Sequence, residues 1–151
     1  MKIYLGTDHA GFEIKEELKK YLQSLGYEVE DCGAHSLDPQ DDYLDFIYPV
    51  AKKVSENKDS KGIVLGGSGQ GECMVANKVK GVRAAIGYNE YGAEMSREHN
   101  DANVLCIGGR VLNAEKAKEI VRLWLGTAFS GDERHVRRIK KIEELEDKNF
   151  K

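Results

Sequence analysis

The sequence predicts an α/β fold in which a parallel sheet is covered by helices on both faces. Five short apolar runs, at residues 2–7, 27–31, 61–65, 83–87 and 104–108, alternate with segments of helical periodicity. Every connection between runs is long enough for a crossover, as parallel pairing requires. Asp8, His9, Glu72 and Arg110 fall just past run ends, where ligands bind in open parallel sheets. Folding alone does not need that clustering.

Taken in order, residues 2–7 read as a buried strand ending in Asp8-His9-Ala10-Gly11. Ile14, Leu18, Tyr21, Leu22 and Leu25 recur at helical spacing, and Gly26 stops that helix. Residues 27–31 read as the second strand. The polar loop 32–43 carries His35, Pro39 and three acids. It is long for a compact connection, which marks it as a functional candidate, although His35 itself reads as a plain loop residue. Ile47, Val50, Ala51 and Val54 mark the next helix, with Pro49 expected in its first turn.

The third strand, 61–65, feeds Gly66-Gly67-Ser68-Gly69-Gln70-Gly71-Glu72, and a helix follows from Cys73. Gly81 ends that unit. Residues 83–87 read as the fourth strand, 90–98 as a helix and 104–108 as the fifth strand, ending in Gly108-Gly109-Arg110. Ala117, Ile120, Val121 and Trp124 mark a further helix closed by Gly126. A final charged helix over 132–147 is expected to be capped by Asp132. Its apolar positions, Val136, Ile139, Ile142 and Leu145, recur every three residues. That stripe is too narrow for a deep core helix and suits docking on a partner subunit.

The 151 residues make one domain, 1–151, large enough for a full core. With 23 Lys and Arg against 26 Asp and Glu, the net charge is −3, which argues against nucleic acid as a main partner. Cys32, Cys73 and Cys106 form no CxxC and no metal-type spacing. No apolar run approaches the ~20 residues of a membrane span, and Met1 to Leu5 lead straight into a strand without a signal-peptide core. A cytoplasmic location without membrane attachment is the expectation.

The glycine loop is the chemical centre. A strand, a glycine turn and a helix N-terminus point several backbone N–H groups, and the positive end of the helix dipole, at one spot. Glu72 at the loop exit places a carboxylate beside it, and a base beside an anion site is half of an active site. The loop is neither GxGxxG nor a P-loop. Arg110, Arg134 and Arg138 offer the bidentate donors that suit a phosphate group. Arg134 and Arg138 share a helix face at i, i+4. His99 suits acid or base work near neutral pH. His9, His35, His99 and His135 lack a helical HxxxH, so no metal site is expected. Together these groups fit proton transfer next to a carbonyl on a phosphorylated substrate.

Six motifs stand in order: Asp8-His9-Ala10-Gly11; the glycine loop with Ala76-Asn77-Lys78; Arg83-Ala84-Ala85; Arg97-Glu98-His99-Asn100; Ile107-Gly108-Gly109-Arg110; and Arg134-His135 with Arg137-Arg138. Over nearly the whole chain this pattern resembles the B-type ribose-5-phosphate isomerase family, which includes galactose- and allose-phosphate isomerases. The resemblance implies a flavodoxin-like α/β/α sandwich with no cofactor. It also implies a homodimer with shared active sites, with tetramer formation left open. The implied reaction interconverts ribose 5-phosphate and ribulose 5-phosphate through an enediolate. On these positions, His99 would help open the furanose ring, assisted by Asp8, and Glu72 would move the proton between carbons. Ser68 would help shift protons between oxygens. The amides of Gly67, Ser68, Gly69, Gln70 and Gly71 would form the anion hole, and Asn100 and Tyr43 would position the sugar. His9, Arg110, Arg134 and Arg138 would bind phosphate, some of them from the neighbouring subunit. Many members place a cysteine base where this chain has Gly66; Glu72 matches the branch that uses a glutamate at the loop exit. Cys73 reads as a small buried helix residue. Two other readings remain open: an isomerase of a six-carbon aldose phosphate, and a nucleotide- or flavin-binding module on the same sheet.

Overall fold

The computed structural model describes residues 1–150. The strands β1 (Lys2–Thr7), β2 (Glu28–Asp31), β3 (Lys61–Gly66), β4 (Ala84–Ile86) and β5 (Val104–Gly108) form one wholly parallel sheet in the order β2-β1-β3-β5-β4. The helices are α1 (Phe12–Ser24), α2 (Leu44–Glu56), α3 (Gln70–Ala76), α4 (Glu90–Glu98), α5 (Ala114–Gly126) and α6 (Glu133–Asn149). The expected three-layer parallel architecture is present. Its strand order is that of a flavodoxin-like sheet, β2-β1-β3-β4-β5, with the last two strands exchanged. Burial accounts for the exchange. All five residues of β5 are buried, which suits an inner position, whereas the three residues of β4 are half-buried and form an edge.

Alternation along the strands divides the core. Ile3, Leu5, Ile63, Leu65, Leu105 and Ile107 face Leu18 and Leu22 of α1, Ala93 of α4, and Ala117, Ile120 and Trp124 of α5. Tyr4, Val64, Val104 and Cys106 face the other way, against Ile47, Val50 and Val54 of α2 and Ala76 of α3. A period of two in strands buried on both sides produces these two layers. Right-handed crossovers then put α1 and α4 on one face and α2 and α3 on the other, and α5, which leads to no further strand, packs on the face of α1. The chain therefore leaves β3 toward one face, and leaves both its neighbours, β1 and β5, toward the other. This reversal opens a crevice above the carboxyl end of β3.

Local features differ from the sequence reading: α3 begins at Gln70 rather than Cys73, and Cys73 is half-buried rather than buried. Helix α2 starts at Leu44, so Pro49 lies inside it rather than in its first turn; the missing N–H removes the bond to the Asp45 carbonyl. Asp132 occupies the N-cap position of α6 without a side-chain cap bond. Its backbone carbonyl instead accepts from His135 N–H (2.9 Å) and Val136 N–H (3.0 Å). Helix α6 also runs two residues further than expected, to Asn149. It lies across the amino-terminal edge of the sheet: Glu146 accepts from Gly81 N–H at 2.9 Å, and Lys80 pairs with Asp147. Of its stripe only Ile139 is buried; Val136, Ile142 and Leu145 are exposed.

Candidate active site

Three turns meet above the crevice. After β1, the Asp8 carboxylate accepts from Ala10 N–H at 2.9 Å and caps a short 3₁₀ turn, His9–Gly11. After β5, Gly109 N–H donates to the Gly66 carbonyl (2.6 Å), and Arg110 N–H donates to that of Gly67 (3.0 Å). Between them lies the glycine loop. Gly69 stands at φ +83°, a left-handed conformation that favours glycine, and α3 begins with the next residue. The Arg110 guanidinium stands over Gly67: a Cβ built there would lie 3.3 Å from its terminal nitrogen.

Glu72 is 4 % exposed although it is charged and belongs to the first turn of α3. Its carboxylate fills the space beside Gly66 where a side chain would otherwise stand, since a Cβ at Gly66 would fall 1.7 Å from Oε1. A glycine at the end of β3 is therefore a condition for this position of the acid. Burial pushes the Glu72 carboxyl above the usual glutamate value. The N–H groups of Glu72 and Gly69 pull it back, and the negative charge of Asp8 adds to the rise. A desolvated carboxylate beside backbone donors can take a proton from carbon and leave the resulting oxyanion stabilised.

Side chains around the loop complete this end of the sheet. The Tyr43 ring lies on Gly71, whose hypothetical Cβ would be 2.8 Å from the ring. Ser68 Oγ accepts from Gln70 N–H at 3.2 Å. His9 lines a recess with Arg110. Two residues that the sequence reading left without a role also appear. Asp41 accepts from His9 N–H (3.1 Å) and lies 2.7 Å from His9 Nδ1. Tyr88, past the end of β4, donates to the Ser68 carbonyl (3.1 Å) and accepts from the Gln70 amide (2.6 Å). Long polar loops and strand ends were the available signal for both, but a lone acid or tyrosine there has no spacing to mark it. Asp8, His9 and Asp41 offer ligand atoms within 4.8 Å of one another. The bonds from His9 to Asp41 already account for that closeness.

The remaining expected residues lie elsewhere. Helix α4 runs antiparallel to the strands, so His99 at its C-cap and Asn100 sit at the amino-terminal edge of the sheet. The nine residues of α4 span about 14 Å, and the glycine loop is at the opposite edge. His99 stacks on His135 of α6 with ring centroids 4.3 Å apart. Burial, together with the positive charges of His99, Arg134 and Arg138, holds the His135 imidazole below its usual value, against Asp132. Arg134 and Arg138 are exposed on the same helix. Asp8, His9, Tyr43, Ser68, Glu72 and Arg110 thus gather at one end, and His99, Asn100, Arg134 and Arg138 at the other.

Among the described residues no helix is long and apolar enough to cross a membrane. The chain is similar to ribose-5-phosphate isomerase B of Mycolicibacterium paratuberculosis, at 44% identity over 97% of this chain and 92% of that protein. The solved ribose-5-phosphate isomerase B of Clostridium thermocellum is 47% identical, superposes with a TM-score of 0.93, and is matched over 98% of this chain and 99% of its own. That of Mycoplasma genitalium, solved with bound ribulose-5-phosphate, is 40% identical with a TM-score of 0.95, over 98% and 97%. The model of the Ribose/Galactose Isomerase family matches residues 3–142, which take in both groups of candidate residues and every strand residue except Lys2, and the chain belongs to that family.

Proposed function

We propose that this protein is an aldose–ketose isomerase that interconverts ribose 5-phosphate and ribulose 5-phosphate by proton transfer through an enediolate. The carrying observation is the Glu72 carboxylate, buried in the space left by Gly66 and facing the backbone donors of the glycine loop. Ionised Glu72 takes the proton from C2 of the open-chain aldose and returns it to C1. The negative charge that develops on the carbonyl oxygen meets the amides of residues 67–71 and the N-terminus of α3. Ser68 moves a proton between the two substrate oxygens. The names of the relatives and the ribulose-5-phosphate bound to the Mycoplasma genitalium protein support the choice of substrate.

A complete site requires a second copy of the chain. Ring opening is assigned to His99 with Asp8, yet these residues stand at opposite ends of the sheet. A homodimer that sets the amino-terminal edge of one subunit on the carboxyl edge of the other supplies His99, Asn100, Arg134 and Arg138 in trans. The exposed apolar residues of α6, with the unpaired edge strand β4, give such a dimer its contact surface. The three cysteines are free thiols, in keeping with work in the reducing cytoplasm.

The test is turnover of ribose 5-phosphate in deuterium oxide. Deuterium entering at the carbon that receives the proton is the expected result. Chelator-sensitive turnover with complete retention of the substrate hydrogen points to a hydride shift and overturns the Glu72 mechanism.

A further inference from the structure

We propose that Asp41 is a positioning residue: it holds His9 in one tautomer and one orientation, so that Nε2 faces the phosphate of the substrate. The proposal rests on the sugar-phosphate reading above and adds to it a residue of loop 32–43.

One oxygen of Asp41 grips His9 at two points. Oδ1 accepts from the backbone N–H at 3.1 Å and lies 2.7 Å from ring Nδ1. An ionised carboxylate only accepts, so the Nδ1 facing it carries a proton. Nε2 is thereby left for another partner, and His9 lines a recess together with Arg110. The double grip also ties the ring to its own backbone, so the imidazole cannot turn without breaking a bond at Asp41.

The surroundings show that this grip is not an incidental surface contact. The Asp41 side chain is 8 % exposed, and its other oxygen, Oδ2, is buried without a hydrogen-bond partner among the described residues. Keeping a carboxylate oxygen from both water and a donor is unfavourable. An acid on a polar loop would normally face solvent. Among the described residues its one ion-pair partner is His9, and Asp8 is the other charged group of the trio. The loop that carries Asp41 is tied down at its start. Buried Lys15 donates to both carboxylate oxygens of Asp31, at 2.9 and 2.8 Å, and to the Ala34 carbonyl at 2.6 Å. At the other end, Tyr43 rests on Gly71.

The experiment compares the full-length wild type with Asp41→Asn, His9→Ala and the double variant. It measures ribose 5-phosphate turnover, inhibition by inorganic phosphate and ¹⁵N ring shifts of His9. Asp41→Asn keeps the shape and one acceptor but removes the charge. It should raise KM and the inhibition constant of phosphate about tenfold each, with kcat within about twofold. In the His9→Ala background the same change should add less than about twofold, because coupled residues are not additive. The wild-type ¹⁵N shifts should report a protonated Nδ1. A fall in kcat at constant KM, multiplicative effects in the double variant, or an unprotonated Nδ1 in the wild type would each overturn the proposal. Failure of the isomerase reading is separately visible as a wild type without turnover, and the ring shifts and phosphate binding would still test the grip.

Discussion

The two ends of the sheet are built differently. At the carboxyl end, three turns from buried strands press backbone on backbone, and the acids Asp8 and Glu72 are almost fully covered. At the amino-terminal end, the candidate groups hang from a helix terminus and an outer helix, and Asn100, Arg134 and Arg138 are exposed. The difference teaches where each kind of chemistry can be placed. Proton transfer at carbon needs a desolvated base held to a fraction of an ångström, and only the packed end supplies that. Phosphate capture needs long, charge-dense side chains that close on an arriving anion.

The sharpest way to break this contrast is Glu72→Gln. Loss of the base should lower kcat by about 10³-fold, read by single-substrate kinetics on folded protein. In the wild type, kcat/KM should fall as the pH drops through the raised Glu72 value, so the acid limb lies above the usual glutamate range. The stability effect has the opposite sense. With a raised folded-state value, the stabilising contribution is complete below the unfolded value and is lost as the pH rises through the folded one. At neutral pH the glutamine variant should therefore melt no lower than the wild type, as calorimetry would show. A variant that is equally dead but unfolded would make Glu72 a structural residue.

Mixing is the next largest effect. In the proposed homodimer, subunits carrying Glu72→Gln and subunits carrying His99→Ala should each be inactive alone. Unfolded, combined in equal amounts and refolded, they should recover about one quarter of wild-type activity, because half the dimers are mixed and each of those has one intact site. No recovery would mean that both ends act on substrate within one chain. The smallest effect is expected at Tyr88. Tyr88→Phe removes the hydrogen bond to the Ser68 carbonyl and loosens the cradle, and kcat should fall about threefold with KM unchanged.

Much of the packed end was legible in the sequence. Apolar runs followed at once by Asp8-His9, by the glycine loop with Glu72, and by Gly109-Arg110 locate the strand ends and hence the crevice. Pairing order is written more faintly. Val104 to Ile107 is wholly apolar, as an inner strand is, whereas the fourth run opens with Arg83, yet the order β3-β5-β4 is fixed only by the observed pairing. Asp41 and Tyr88 were illegible for a related reason: their partners are 32 and 20 residues away, and no periodicity links them. The separation of His99 from Glu72 was hidden as well. A helix returns the chain to the opposite edge, and motif order records sequence rather than place.

The room shared by residue 66 and the tip of residue 72 couples the two positions. A side chain at 66 would meet the carboxylate where it now lies, and the flexible tip of Glu72 would have to swing aside. Any change at 66 is therefore also a change in where the acid points.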